Sequence, residues 1–485
     1  MKQLLKVAFV MGSYSLVSIL VGLVRSKVGA LMLGPDGVGL LSQANSFLIF
    51  MATICTFSMG TGITKRLSET LGANDEGRMN ELLDTSFLFF CATGLGIPLL
   101  LFPLFLPLAR FLFGDIKLAL PFLTVMMAIP LNVLISGLGN PITLGANRYD
   151  LYTRAMITGT LFGLMPFLIM TWIWGLPGAI YSVSVSTLIR AAIFLYYGAR
   201  AVKWRPHLKW HFSVEVLRSL KGYSMAMLVT GVLLEGSNLV IRTAILNRLN
   251  PAANGIYQVP AALSSYYSIF FTNILWGHFF PKVSQQINPK VHETELNNAL
   301  RFILLGFTVM AFFLITFRVP LIIIAYSDKF SKGAPLIPYY VLGDLFFLLA
   351  MVYTVSLLSL QRLKGYVMIL VGYYMLRTIL ALFFLDTFGI MGPVIAHVMS
   401  AAAMLLALAG YHANRLLFPV AGHIIRLLIF SVAMIAISVA LPLPTSVHVL
   451  LQIVLFGIWL LMVLTPEERN MLMRLLMRHD LNRSG

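Results

Sequence analysis

Apolar residues run through this chain in long stretches of about twenty residues or more, divided by short polar breaks. They fall at 7–33, 37–60, 85–108, 119–143, 155–174, 177–198, 223–247, 256–280, 302–325, 335–358, 366–385, 390–411, 424–442 and 446–464. About 20 apolar residues carry a helix across a bilayer, so the pattern predicts about fourteen transmembrane helices. A membrane β-barrel would need segments of ~10 residues with alternating polarity. These stretches do not alternate, and the predicted fold is an all-α polytopic membrane protein.

Composition agrees with that pattern. A length of 485 residues would suggest about three soluble domains. Hydrophobic residues make up 59% and charged residues 11%, against roughly 25% charged in a soluble domain. A folded soluble chain of this size cannot hide so much apolar surface. The 34 Phe and the lack of low-complexity tracts exclude disordered, collagen-like and coiled-coil classes.

The net charge of +17 would raise nucleic acid as a partner for a soluble protein. In a membrane chain it reads first as orientation, because Lys and Arg accumulate in cytosolic loops. With a cytosolic N terminus, 24 basic residues fall on cytosolic segments. Nine fall on the outer half: Arg25, Lys27, Arg110, Lys117, Arg242, Arg248, Arg318, Lys329 and Lys332. Both termini are therefore expected in the cytosol, with no nucleic-acid partner. Lys2 and Lys6 precede a run too long for a signal-peptide core, so no cleavable leader is expected.

Cys55 and Cys91 lie inside apolar runs without metal-ligand spacing and read as small core residues. No outer loop is long enough to carry a polymerase or ligase site. The longest hydrophilic stretch, 199–222, holds Trp204, Trp210 and Phe212 among basic residues. It suits an interfacial helix on an anionic leaflet or a plain linker. The tail after Pro466, with Arg474 and Arg478 one turn apart, reads similarly.

The chain also repeats itself. At an offset of 216, LGPDGVGL at 33–40 matches LNPAANGI at 249–256, pairing Pro35 with Pro251 and Gly39 with Gly255. Arg66–Glu69 pairs with Lys282–Gln285, Leu144 with Leu360 and Arg148 with Lys364. Near 214, GLPGAI at 175–180 matches GIMGPV at 389–394. Each repeat holds six helices, an even number, so the copies share one orientation and form two parallel lobes around a central cavity. The expected layout is a first lobe at 1–199, a linker at 200–222, a second lobe at 223–415, an extra helix pair at 416–465 and a tail at 466–485. Rocking of such lobes gives alternating access, so this layout implies a transporter.

Charge inside a bilayer is costly and usually faces the protein interior. Ser15, Ser18, Gly22, Arg25 and Gly29 form one stripe on the first helix, and Glu235, Asn238 and Arg242 share a face of the seventh. Arg190 and Arg377 add cations to the sixth and eleventh helices, and Lys27 lies beside Arg25. The clear acids are Glu235 and Asp344, with Asp84 and Asp386 nearer helix ends. The cavity is therefore expected to be net positive and to suit phosphate, whose oxygens a guanidinium fork binds in pairs.

Arg25 and Lys27 admit a second reading, snorkelling to headgroups, and Arg190 and Arg377 admit structural ion pairing. Gln43, Asn45, Ser46, Gln258, Tyr266, Tyr267, Asn273, Tyr339 and Tyr340 interrupt the apolar runs. They suit either sugar hydroxyls or interhelical bonds. Paired carboxylates at glycosyl-transfer spacing, Gly-rich phosphate loops and metal-ligand clusters are missing from the sequence. A transporter is expected, not an enzyme, with no metal.

Leu33-Gly34-Pro35-Asp36-Gly37-Val38-Gly39-Leu40 with Gly62-Ile63-Thr64-Lys65 resembles the opening signature of the oligosaccharide flippases of the multidrug/oligosaccharidyl-lipid/polysaccharide exporter superfamily. Ser327-Asp328-Lys329-Phe330, followed by Leu342-Gly343-Asp344, resembles a second signature of that group. The likeness is greatest to the flippases of O-antigen and common-antigen lipid carriers, and it covers roughly 1–415. It implies movement of an undecaprenyl-diphosphate-linked oligosaccharide from the cytosolic to the outer leaflet of a bacterial inner membrane.

The resemblance further implies a polyprenyl-diphosphate glycolipid and membrane lipids as partners, with other polysaccharide assembly proteins, for a monomeric carrier. No cofactor is implied; proton or sodium coupling through Glu235 or Asp344 stays open. In related lipid II flippases a first-helix arginine in the central cavity is important, and Arg25 matches it. Their second-helix arginine has no counterpart in SFLIFMATICTFSMG at 46–60. A multidrug exporter of the same superfamily and a lipid II flippase stand as alternative readings.

Overall fold

The computed structural model describes residues 2–202, 204, 212–284, 289–415, 421–440 and 445–463, and among them every element is helical. In chain order the first helices are α1 (Lys2–Thr56), α2 (Gly60–Gly72), α3 (Glu76–Leu101), α4 (Phe105–Phe113), α5 (Ala119–Met127) and α6 (Ile129–Leu134). Then come α7 (Asn140–Gly145), α8 (Tyr149–Val202), α9 (Val214–Arg248), α10 (Pro251–Ile274), α11 (Phe280–Ser284) and α12 (Pro289–Thr316). The last are α13 (Arg318–Ala325), α14 (Leu336–Ser359), α15 (Leu363–Phe388), α16 (Met391–Arg415), α17 (Gly422–Ala440) and α18 (Thr445–Val463).

Nine helical stretches among the described residues are long and apolar enough to cross a membrane. Two of these, Leu16–Thr56 and Tyr149–Val202, each overlap two of the expected spans. A straight helix of 55 residues, the length of α1, would reach about 80 Å at 1.5 Å per residue, far beyond the ~30 Å hydrocarbon core. Glycines resolve the excess: α1 breaks at Gly34 (φ 65°, ψ −173°) and α8 at Gly175 (φ 59°, ψ −132°). The chain is a multi-pass membrane protein.

A like break recurs 214 positions after Gly175. Gly389, which ends α15, has φ 56° and ψ −138°, close to Gly175. Three residues later Gly178 and Gly392 press on the backbone of the preceding helix. A methyl group there would stand 1.9 Å from the Met170 carbonyl oxygen and 2.5 Å from that of Phe384. Only glycine meets both demands.

The chain divides into two compact units. The first comprises Met1–Tyr266, Ile322–Ala334 and Arg362–Ser400. There α1 packs on α8 and α9, and α9 on α15. Lipid tails are as apolar as Leu, so such contacts rest on close packing and interhelical hydrogen bonds. Phe47 and Phe113 both meet Phe122 edge-on, at 4.9 and 5.5 Å between ring centres. Between α6 and α7 the helix widens into a π turn at Ile135–Gly139. Pro141 supplies the local reason, since it has no N–H to bond the Gly137 carbonyl.

The stretch expected as an interfacial helix is different at its edges. Trp204 does not lie at a lipid interface. It is buried, its indole N–H donates to Asp84 Oδ1 at 2.9 Å, and Phe87 packs edge-on to it. A carboxylate buried in α3 must be hydrogen-bonded, and that need draws the indole inward. The backbone N–H of Ser213 donates to Thr85 on the next position of α3. Trp210 and the tail after Pro466 lie outside the described residues.

The second unit comprises Tyr267–Leu321, Pro335–Gln361 and Ala401–Gly485. Ser431 on α17 accepts bonds from Thr308 of α12 at 2.9 Å and Trp459 of α18 at 3.0 Å. Phe312 stacks on Phe456 at 4.4 Å. The last two helices are thus bound to α12. Ser356 on α14 bridges His292 and His412, at 2.8 and 3.2 Å.

Candidate functional site

The first unit encloses a polar cavity of about 390 Å³. Arg25 of α1 and Arg190 of α8 both line it, with Asn45, Thr53, Thr56 and Ser58 after the Gly34 break. Asn132 and Ser136 enter from α6 and its π turn, and Ser186 and Thr187 from α8. The lining contains two cations and no carboxylate.

Local packing fixes both arginines. The Arg25 guanidinium lies 5.0 Å from the centre of the Phe167 ring, a cation–π placement that favours a desolvated cation. The stem of Arg190 rests on Gly159 and Gly163, where added methyl groups would stand 3.4 and 3.8 Å from its carbons. Two glycines one turn apart thus make a groove for a long side chain. Thr53, Thr56, Ser136 and Thr187 already donate to carbonyls of their own helices, and Ser186 donates to Gly163. Directional binding to a ligand therefore falls mainly to the guanidinium forks, with the Asn45, Asn132 and Ser58 side chains beside them. The arrangement suits an anion with several oxygens.

The other expected cations are elsewhere. Arg242 is buried and donates to Ser42 at 3.0 Å and to Gln258, and it lies 5.7 Å from the Tyr257 ring centre. Buried Arg377 donates to Asn238 at 3.2 Å. Glu235 hydrogen-bonds Asn238 and lies within electrostatic reach of Arg242 and Arg377. These four side chains form a second polar group, in which one carboxylate faces two guanidiniums. Lys27 donates to the carbonyl of Ile323 at 2.7 Å.

Of the expected sugar contacts, Asn45 alone lines the Arg25–Arg190 cavity, and it also bonds the Leu41 carbonyl. Gln43 is fully buried and donates to Thr243, an interhelical bond. Gln258 is held by Arg242. Asn273 is exposed in the second unit. Asp344, also in the second unit, is buried and accepts from Tyr267. Asp386 is exposed and pairs with Arg248 at 3.0 Å.

The sequence reading missed Asn132, Ser136, Ser186 and Thr187. Two signals were present: Asn132 and Ser136 are four apart, and Ser186 stands four before Arg190. Both spacings put a polar pair on one helix face.

The profile of a family described as polysaccharide biosynthesis protein matches residues 30–335. Curated relatives include the lipid III flippases of Escherichia coli (strain K12) and Shigella flexneri. Each is 22% identical over 393 residues, covering 79% of this chain and 92% of the relative. Those relatives are flippases, not enzymes. Among solved structures, the lipid II flippase MurJ in an inward closed conformation superimposes with a TM-score of 0.70 at 16% identity, covering 92% of this chain and 97% of that one. An inward-facing multidrug resistance MATE family transporter of the MOP superfamily gives 0.67 at 14% identity, covering 85% and 98%. The fold is that of the MOP superfamily, and the match over most of its length makes this chain a member of the polysaccharide biosynthesis protein family.

Proposed function

We propose that the protein is a flippase for a diphosphate-linked oligosaccharide carried on a polyprenyl lipid, such as an O-antigen or common-antigen unit. It moves the head group from the cytosolic to the outer leaflet of a bacterial inner membrane by alternating access. The observation that carries this reading is the placement of Arg25 and Arg190 on one polar cavity without a carboxylate in its lining. A cation-binding multidrug exporter would need the opposite polarity there. The names of the lipid III and lipid II flippases support a lipid-linked substrate.

In this reading both termini are cytosolic and fourteen helices cross the membrane: six in each lobe, at 1–199 and 223–415, and a last pair at 416–465. Arg25 and Arg190 hold the diphosphate, while Asn45 and Asn132 reach the adjacent sugar. Glu235 offsets the buried charge of Arg242 and Arg377. An inside-negative potential favours outward movement of an anion by about 2.3 kcal/mol per charge per 100 mV, so an ion gradient is not obligatory. The polyprenyl tail stays in lipid, and the carrier acts as a monomer.

Complementation of surface glycan in a strain lacking its own flippase tests this proposal. Arg25→Ala and Arg190→Ala, expressed at the level of the unaltered protein, abolish export. Normal export by both variants overturns the reading.

A further inference from the structure

The offset of 216 pairs Pro35 with Pro251, Gly39 with Gly255 and Ser42 with Gln258. In the folded chain these positions meet. A methyl group on Gly39 would lie 2.1 Å from the Pro251 carbonyl oxygen, and one on Gly255 would lie 1.9 Å from that of Pro35. Each glycine rests on the proline carbonyl of the other copy, the reciprocity that a two-fold axis between them requires. Asn254, fully buried, donates to the Gly39 carbonyl at 2.8 Å. In the proposed topology α1 crosses the membrane once before its break at Gly34, which puts this seam on the side opposite the N terminus.

One cation spans the seam. Arg242 donates to Ser42 from Nη1 and to Gln258 from Nη2, and these two acceptors are repeat partners. The partner of Arg242 itself is Ser26, which hydrogen-bonds Tyr266 instead. One copy thus supplies the arginine for both. A planar guanidinium suits a two-sided bridge in a way that an ammonium does not, and its charge-assisted bonds are about twice as strong as neutral ones. At the glycine crossing itself, Asn254 and the Gly39 carbonyl supply a neutral hydrogen bond, and Arg242 adds the charged one.

We infer that Arg242 is the latch of this seam. It holds the two copies of the repeat together and closes the Arg25–Arg190 cavity toward that side. Its task is conformational, and it does not hold the transported anion. Asn45, which lines the cavity, follows Ser42 by three residues, so the Ser42 arm grips the helix next to the turn that walls the cavity.

The test uses the full chain with Cys55→Ala and Cys91→Ala, since these are its 2 cysteines, and a reporter at Asn45→Cys. A membrane-impermeant maleimide is added to oriented vesicles on the side opposite the N terminus. Arg242→Gln raises the labelling rate roughly tenfold, equivalent to about 1.4 kcal/mol in the seam equilibrium. Ser42→Ala, which removes one arm and keeps the arginine, gives a smaller rise. Binding of geranylgeranyl diphosphate, measured on the same variants, is unchanged. Labelling that does not rise in Arg242→Gln overturns the latch, as does lost diphosphate binding with unchanged labelling. Labelling needs no substrate, so the latch stands or falls separately from the flippase reading, which it does not require.

Discussion

Trp204 donates its indole N–H to the carboxylate of Asp84 at 2.9 Å, 120 positions earlier in the chain. With the Ser213–Thr85 bond, it ties both edges of the segment that joins the repeats to consecutive residues of α3. A hydrogen bond to a charged group contributes about 1.5–3 kcal/mol, and a buried carboxylate left without it bears its desolvation cost. Trp204→Phe therefore lowers the thermal unfolding midpoint in detergent. Trp204→Phe combined with Asp84→Leu recovers part of the loss, because no buried charge remains.

The two glycines that follow the breaks at Gly175 and Gly389 make a stricter demand. Gly178→Ala and Gly392→Ala place a methyl group against backbone carbonyls that cannot swing away. Overpacking of this kind costs roughly 1–3 kcal/mol. Gly96→Ala and Gly372→Ala, where a methyl group meets open space, are neutral or stabilising. Thermal unfolding of the four variants separates the pairs.

Arg25 and Arg190 face one cavity, so their substitutions are not additive. Once either is removed, the other adds little further loss of binding for geranylgeranyl diphosphate. Gly159→Val provides a second route to the same effect, since it pushes the Arg190 stem out of its groove without removing charge. Dissociation constants for the two single variants, the double variant and Gly159→Val check this. Fully additive losses would separate the two arginines into independent sites.

Ser431 joins three helices through one oxygen. Interhelical hydrogen bonds in membranes average about 0.6 kcal/mol each, so Ser431→Ala loses about 1 kcal/mol from its two bonds. The loss loosens α17 and α18 from α12. Faster hydrogen exchange in α17 and α18, with little change in the first unit, is the expected readout.

Much of this architecture is legible in the sequence. The apolar runs located the helices, because the cost of exposing polar backbone or charge to lipid is paid residue by residue and leaves a local mark. The paired glycines are legible for a related reason: Gly175 and Gly389, and Gly39 and Gly255, answer steric demands that no other side chain meets. The sequence also marked Arg25, Arg190, Arg242 and Arg377 as charges too costly to be incidental.

It could not say which of them act together. Arg25 and Arg190 come from helices 165 positions apart and face one cavity only because α1 packs on α8. Arg242, alike in chemistry and depth along its helix, spends two donors on Ser42 and Gln258, and Lys27 donates to the Ile323 carbonyl. Hydropathy belongs to single residues and survives in the sequence. The partner of a guanidinium depends on which oxygens stand within about 3 Å, and only the crossing of helices decides that.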